Sequence, residues 1–112
     1  MADEAAQVLP GTLDMLVLKV ISVAPEHGWG VGQRLQQMSS GVFDVNQGSV
    51  YPALQRLLKK GWIRSAWRAT DSGRRARYYS ITRSGARQLE RERESWGRQA
   101  RAVESVLTWT AG

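Results

Sequence analysis

At 112 residues the chain is long enough for one domain with a modest core, and too short to hold a substrate domain beside it. It contains no cysteine, which excludes a disulfide framework, a thiol nucleophile and a thiolate metal site, and fits a reducing compartment. Its net charge of +6 is local: residues 1–58 hold three basic and five acidic side chains, residues 59–87 nine and one, and residues 88–112 four of each. A field gathered into one stretch points to a polyanion, nucleic acid first, whereas basicity kept only for solubility would be spread out.

Residues 1–9 read as frayed or only partly helical, and Pro10-Gly11 punctuates them. The acidic N-terminus does not resemble a signal peptide. The apolar run Leu13–Val23 is interrupted by Asp14, Lys19 and Ser22 and is too short to span a bilayer, so a cytoplasmic protein with no membrane partner is expected. That run is a predicted helix capped by Thr12, with Asp14 favoured by the dipole of its first turn. Leu13, Leu16, Val17, Val20, Ile21 and Ala24 share one side, but Met15, Leu18 and Val23 make the rest apolar as well. A small domain alone has difficulty covering such a helix, which suggests a subunit interface.

Pro25 ends the first helix, and a second is predicted from the His27-Gly28 region to about Ser39, with Val31, Leu35 and Met38 inward, Gln33, Arg34 and Gln36 wet, and Gly41 as the stop. Val42–Val45 is expected to be a brief extended connector. The third helix is capped by Asn46 or by Ser49 and runs to Lys60, with Gly61 as a left-handed stop. With Ser49 as the cap, Pro52 falls in the first turn; with Asn46 it lies inside and should kink the helix. Val50, Leu54, Leu57 and Leu58 fall on one face. Pro52, Gln55, Arg56 and Lys59 point the other way, Gln47 and Tyr51 stand on the flank, and these side chains suit base edges and phosphates.

After Gly61 the period changes to two. Trp62–Trp67 and Arg77–Ile81 are β-rich runs on either side of the turn cluster Thr70–Arg75, a predicted hairpin. Asp-Ser-Gly would suffice for a turn, so Arg74, Arg75 and Arg77 suggest a finger for phosphate or a narrow minor groove. A solvated surface loop is the plain alternative. Thr82 caps a last helix from Arg83 to about Thr108, with Leu89, Trp96 and Val103 seven apart and Ala100 and Leu107 four beyond Trp96 and Val103. Its opposite face, with Arg91, Glu92, Arg93, Glu94, Arg98, Arg101 and Glu104, is charged. A stripe this narrow suits a second subunit's equivalent helix.

Three helices followed by a basic hairpin make a winged helix-turn-helix, a mainly α fold with a small β-hairpin. Residues 1–11 would form an N-terminal segment, 12–82 the winged domain and 83–112 a C-terminal dimerisation helix. GSVYPALQRLLKKGWI at 48–63, GRRARYYSIT at 73–82 and SGARQLE at 84–90, supported by HGWGVGQRL at 27–35, resemble the PadR family of bacterial transcriptional regulators from about Thr12 to Leu107. The resemblance implies homodimers joined through the N- and C-terminal helices, acting in many cases as repressors. The single C-terminal helix resembles the short subfamily. In its multidrug-responsive members, an aromatic matched here by Trp96 lines a flat cavity between subunits, which implies a small aromatic or cationic effector.

The expected contacts with double-stranded DNA are therefore Gln47, Ser49, Tyr51, Gln55, Arg56, Lys59, Arg74, Arg75 and Arg77. Ser49 and Tyr51 are assigned to phosphate, and Gln55 or Arg56 to base edges. The expected dimer contacts are Leu13, Val17, Leu89, Trp96, Ala100, Val103 and Leu107, with Trp96 either an effector contact or ordinary interface packing. No cofactor is expected. An enzyme fits poorly, because the one histidine, His27, sits in a loop without a nucleophile or metal partners, and the glycines at 28–32 lack the strand of a dinucleotide site. The rival is a winged module that binds RNA or a protein without operator specificity.

Overall fold

The computed structural model describes residues 11–111, so the expectation for residues 1–9 lies outside the described residues. The order is α1 (Thr12–Val23), β1 (Glu26–His27), α2 (Gly28–Met38), α3 (Gln47–Lys59), β2 (Ile63–Ala69), β3 (Arg75–Ile81) and α4 (Arg83–Leu107). The strands form one antiparallel sheet in the order β1-β3-β2. The expected hairpin is thus the larger part of a three-stranded sheet. A strand of two residues leaves too short an alternation to be read from sequence.

Local chemistry sets the boundaries. Gly11, in the left-handed region at φ 86, precedes α1, and Thr12 is the first helical residue instead of the expected cap. Pro25 holds Ala24 extended (φ −167, ψ 151), which stops α1 and feeds β1. His27 ends β1 and also caps α2, its Nδ1 accepting the Gly30 N–H at 3.1 Å. Asn46 caps α3 by accepting the Ser49 N–H at 3.0 Å, which decides between the two candidate caps. Pro52 consequently lies within α3, which continues through it to Lys59. The helix closes as the Trp62 N–H donates to the Leu57 carbonyl at 3.1 Å around Gly61, whose φ of 75 suits glycine. Residues 42–45 form the expected connector between α2 and α3 and belong to no strand.

The core joins Val17, Leu18, Val20 and Ile21 of α1 to Val31 and Leu35 of α2, Val50, Ala53, Leu54 and Leu57 of α3, Ile63 and Tyr79 of the sheet, and Leu89 of α4. Three expectations change here. The domain covers α1 from more sides than its composition suggested, because Leu18 is as fully buried as Val17. Val17, an expected dimer contact, has no exposed surface and so cannot touch a partner. Met38, expected inward on α2, is exposed, because the α2 core face ends at Leu35.

Candidate nucleic-acid interface

The register between β2 and β3 determines which wing residues face together. Ile63 pairs with Ile81, Ser65 with Tyr79, Trp67 with Arg77 and Ala69 with Arg75. These pairs alternate with Arg64/Ser80, Ala66/Tyr78 and Arg68/Ala76, so the two sets occupy opposite faces. The face holding Ile63 and Tyr79 is buried against the helices. Farther out the same face passes beyond the core and carries Trp67, Arg77 and Arg75, all exposed. The tip is a turn closed by the Gly73 N–H to the Thr70 carbonyl at 2.9 Å, with Gly73 at φ 86 and Arg74 beside it.

This inner wing face adjoins α3. Burial pushes the Tyr79 phenol above its ordinary pKa, Tyr51 of α3 adds to the rise, and the Arg77 guanidinium opposes it, so all three groups lie within electrostatic reach of one another. Tyr51 is 55 % exposed, and Gln55, one turn farther along α3, is exposed on the same side. Ser49 and Lys59 are also exposed. The outer wing face is filled differently: Arg68 lies 4.3 Å from the Tyr78 ring centroid, and His27 meets that ring edge-on at 5.3 Å.

Two expected contacts are committed within the fold. Arg56 donates two hydrogen bonds to the Asp14 carboxylate, Nε to Oδ2 at 2.9 Å and Nη2 to Oδ1 at 2.7 Å. That bond raises the guanidinium pKa above its ordinary value. The bidentate fork ties α3 to α1 and occupies the Arg56 guanidinium expected at base edges, a side chain that stays half exposed. Gln47 is half-buried and donates from Nε2 to the Gly28 carbonyl at 3.3 Å, joining the starts of α2 and α3. Arg77 stays exposed and donates to the Ser65 hydroxyl on the same wing face at 2.7 and 3.3 Å. Sequence reasoning could not find the Asp14–Arg56 pair, since 42 positions separate its members and neither lies in a motif with the other. A double-mutant cycle of Asp14→Ala and Arg56→Ala, followed by urea unfolding, is expected to give a coupling of about 0.5–1 kcal/mol, because the pair is ideal in geometry but open to water. Strictly additive effects would remove Arg56 from this role.

Among the described residues no group of three or more His, Cys, Asp or Glu could hold a metal ion, and no helix is long and apolar enough to cross a membrane. The family model of the "Transcriptional regulator PadR-like family" matches residues 17–91. The chain belongs to this PadR-like family. Solved structures agree over most of its length. A PadR-like transcriptional regulator of Bacillus cereus is 31% identical with a TM-score of 0.79, covering 94% of this chain and 100% of that one. A Streptococcus transcriptional regulator is 29% identical, TM-score 0.79, over 92% and 99% of the two chains. A PadR family regulator of Eggerthella lenta is 27% identical, TM-score 0.77, over 89% and 85%. This PadR chain accordingly has the winged-helix fold of transcriptional regulators, in a family of regulators and not of enzymes.

The second half of α4 lies apart from the domain. Leu89 is buried in the core and offers a partner little, whereas Leu13 is only partly covered by it and keeps some exposed surface. From Arg98 to Ala111 every residue is exposed, including the expected contacts Ala100, Val103 and Leu107. Val106 and Trp109, outside the expected stripe, are the barest apolar residues with Leu107, at 74%, 81% and 74%. Trp96 stands between two recesses shared by α1 and α4. One, of about 300 Å³, is lined by residues including Thr12, Met15 and Gln99, and the other, of about 240 Å³, by residues including Leu16, Lys19 and Arg93.

Proposed function

We propose that this PadR-family chain works in the cytoplasm as a homodimeric, sequence-specific repressor at a two-fold symmetric operator. The observation that carries the proposal is the exposed side of α3, with Tyr51 and Gln55, in a winged fold whose wing carries Arg75 and Arg77 exposed on one face. In this reading α3 enters the major groove with Gln55 at base edges, and Ser49, Tyr51 and Lys59 at phosphates. Gln47 and Arg56 shape the surface from behind. Arg74, Arg75 and Arg77 hold the flanking backbone. A small aromatic or cationic effector against Trp96 belongs to the same proposal, supported by the two recesses that flank its ring.

The test is titration of the purified protein against duplex fragments of its own upstream region, with the bound site then made asymmetric. Gln55→Ala should weaken the correct site by about 1–3 kcal/mol while sparing random duplex. Arg74→Ala with Arg75→Ala should weaken all duplexes alike, each lost phosphate contact lowering the slope of log K against log salt by roughly 0.9. A preference for single-stranded RNA over every duplex would overturn the proposal in favour of an RNA-binding module.

A further inference from the structure

Trp67 is 55 % exposed on a part of the wing otherwise made of arginines, small residues and polar groups. Packing does not account for it there, since the buried part of the inner face ends with Ile63 and Tyr79. Two guanidinium groups converge on its ring. Arg75 and Arg77 each lie 5.5 Å from the ring centroid, within cation–π range, and Ser65 pins Arg77 in place. Among the described residues neither arginine is in an ion pair with a carboxylate. The register places all three side chains on the wing face whose inner end carries the buried Tyr79.

An apolar ring with two cations beside it fits a ligand in which an apolar surface adjoins anions. Free inorganic phosphate would occupy the arginines and leave the ring bare. A nucleic-acid strand satisfies both, because each sugar stands between two phosphates. We infer that Trp67 is a direct DNA contact, its indole resting on a deoxyribose of the strand that flanks the α3 groove while Arg75 and Arg77 take the phosphates on either side. The cation–π contacts hold the arginines near their bound positions, which lowers the ordering cost of binding. The sugar contact is independent of base identity, so it adds affinity at every sequence and selects among none.

This inference rests on the DNA-binding reading above, and its test separates the two. Wild type, Trp67→Ala, Trp67→Phe and Arg75→Ala/Arg77→Ala are titrated by fluorescence anisotropy against the operator duplex and a random duplex at several salt concentrations. Trp67→Ala should lose on the order of tenfold on both duplexes with an unchanged salt slope, since burying roughly 60 Å² of apolar surface is lost and no phosphate contact is. Trp67→Phe should retain most of the affinity, and the double arginine variant should lower the slope. Melting temperatures should be unaltered, because the ring lies outside the core. Unchanged affinity in Trp67→Ala would overturn the inference, and so would a loss accompanied by the slope change of the arginine variant, which would make Trp67 a prop for the arginines only. Failure of wild type to bind any duplex would instead overturn the functional reading itself.

Discussion

Gly85→Ala is expected to lower the stability of the fold by about 3 kcal/mol, at the upper end of what one added methyl costs in a packed site. Gly85 is buried in the first turn of α4, where an added Cβ would run into the Trp62 carbonyl oxygen and come within 3.0 Å of Ile81 Cγ1. The carbonyl cannot withdraw, because it accepts the Thr82 N–H at 3.0 Å. The same corner is fixed by the Thr82 and Ser84 hydroxyls, which both donate to the Gly61 carbonyl at 2.7 and 3.1 Å, and by Thr82 Oγ1 accepting the Gly85 N–H at 3.1 Å. A methyl there must push α4 away from the end of α3 and the sheet. Thermal unfolding should show a fall of roughly 15 °C, given about 4–8 °C per kcal/mol for a domain of this size. Gly97→Ala is the control: its added Cβ would meet only the mobile end of Arg101, at 3.3 Å, so the gain in helix propensity should leave α4 equal or more stable. Equal melting points for wild type and Gly85→Ala would show that the corner yields.

The Gly85 corner marks the limit of what the sequence made legible. Helices α1 to α4 were readable because apolar residues recur every three or four positions, and caps such as Asn46 and Thr82 stand just before them. The hairpin was readable from its change of period, and the C-terminal helix to within one residue of its end. What was hidden depends on pairs distant in the chain. β1 exists because Pro25 extends the backbone beside β3, and two residues leave no periodic trace. Arg56 could not be separated from its neighbours on the exposed side of α3 without knowing that Asp14 stood opposite. Val17 had the right character for an interface and the wrong direction, since character does not say which of two apolar sides the domain already covers. Trp67 reads as part of a β-rich run, but its meeting with Arg75 and Arg77 depends on the register, which is a tertiary fact.

Val103→Asp combined with Leu107→Asp is expected to give a folded monomer that binds the two-fold operator 10²–10⁴-fold more weakly than wild type, the factor contributed by joining two half-site contacts. Both side chains lie on the free half of α4, at 56% and 74% exposure, and neither belongs to the core. Charge there costs the single subunit little, so its melting transition at low protein concentration should persist. In a dimer the same two residues would bury four carboxylates against an apolar face without partners, a penalty no nearby cation relieves once water is excluded. The contrast comes from residues of the same chemical type turned the other way: Val17→Asp or Leu89→Asp places a charge in the core and should unfold the chain outright. Sedimentation at low micromolar concentration gives the oligomeric state, and anisotropy on full and half operators gives the affinities. For wild type a dimer is expected, because a lone subunit would leave Trp96, Val103, Val106 and Leu107 of α4, and Trp109 just beyond its end, in water. A wild-type monomer, or a double-aspartate variant that still dimerises and binds the full operator undiminished, would remove α4 from the interface and with it the symmetric spacing that the proposed operator requires.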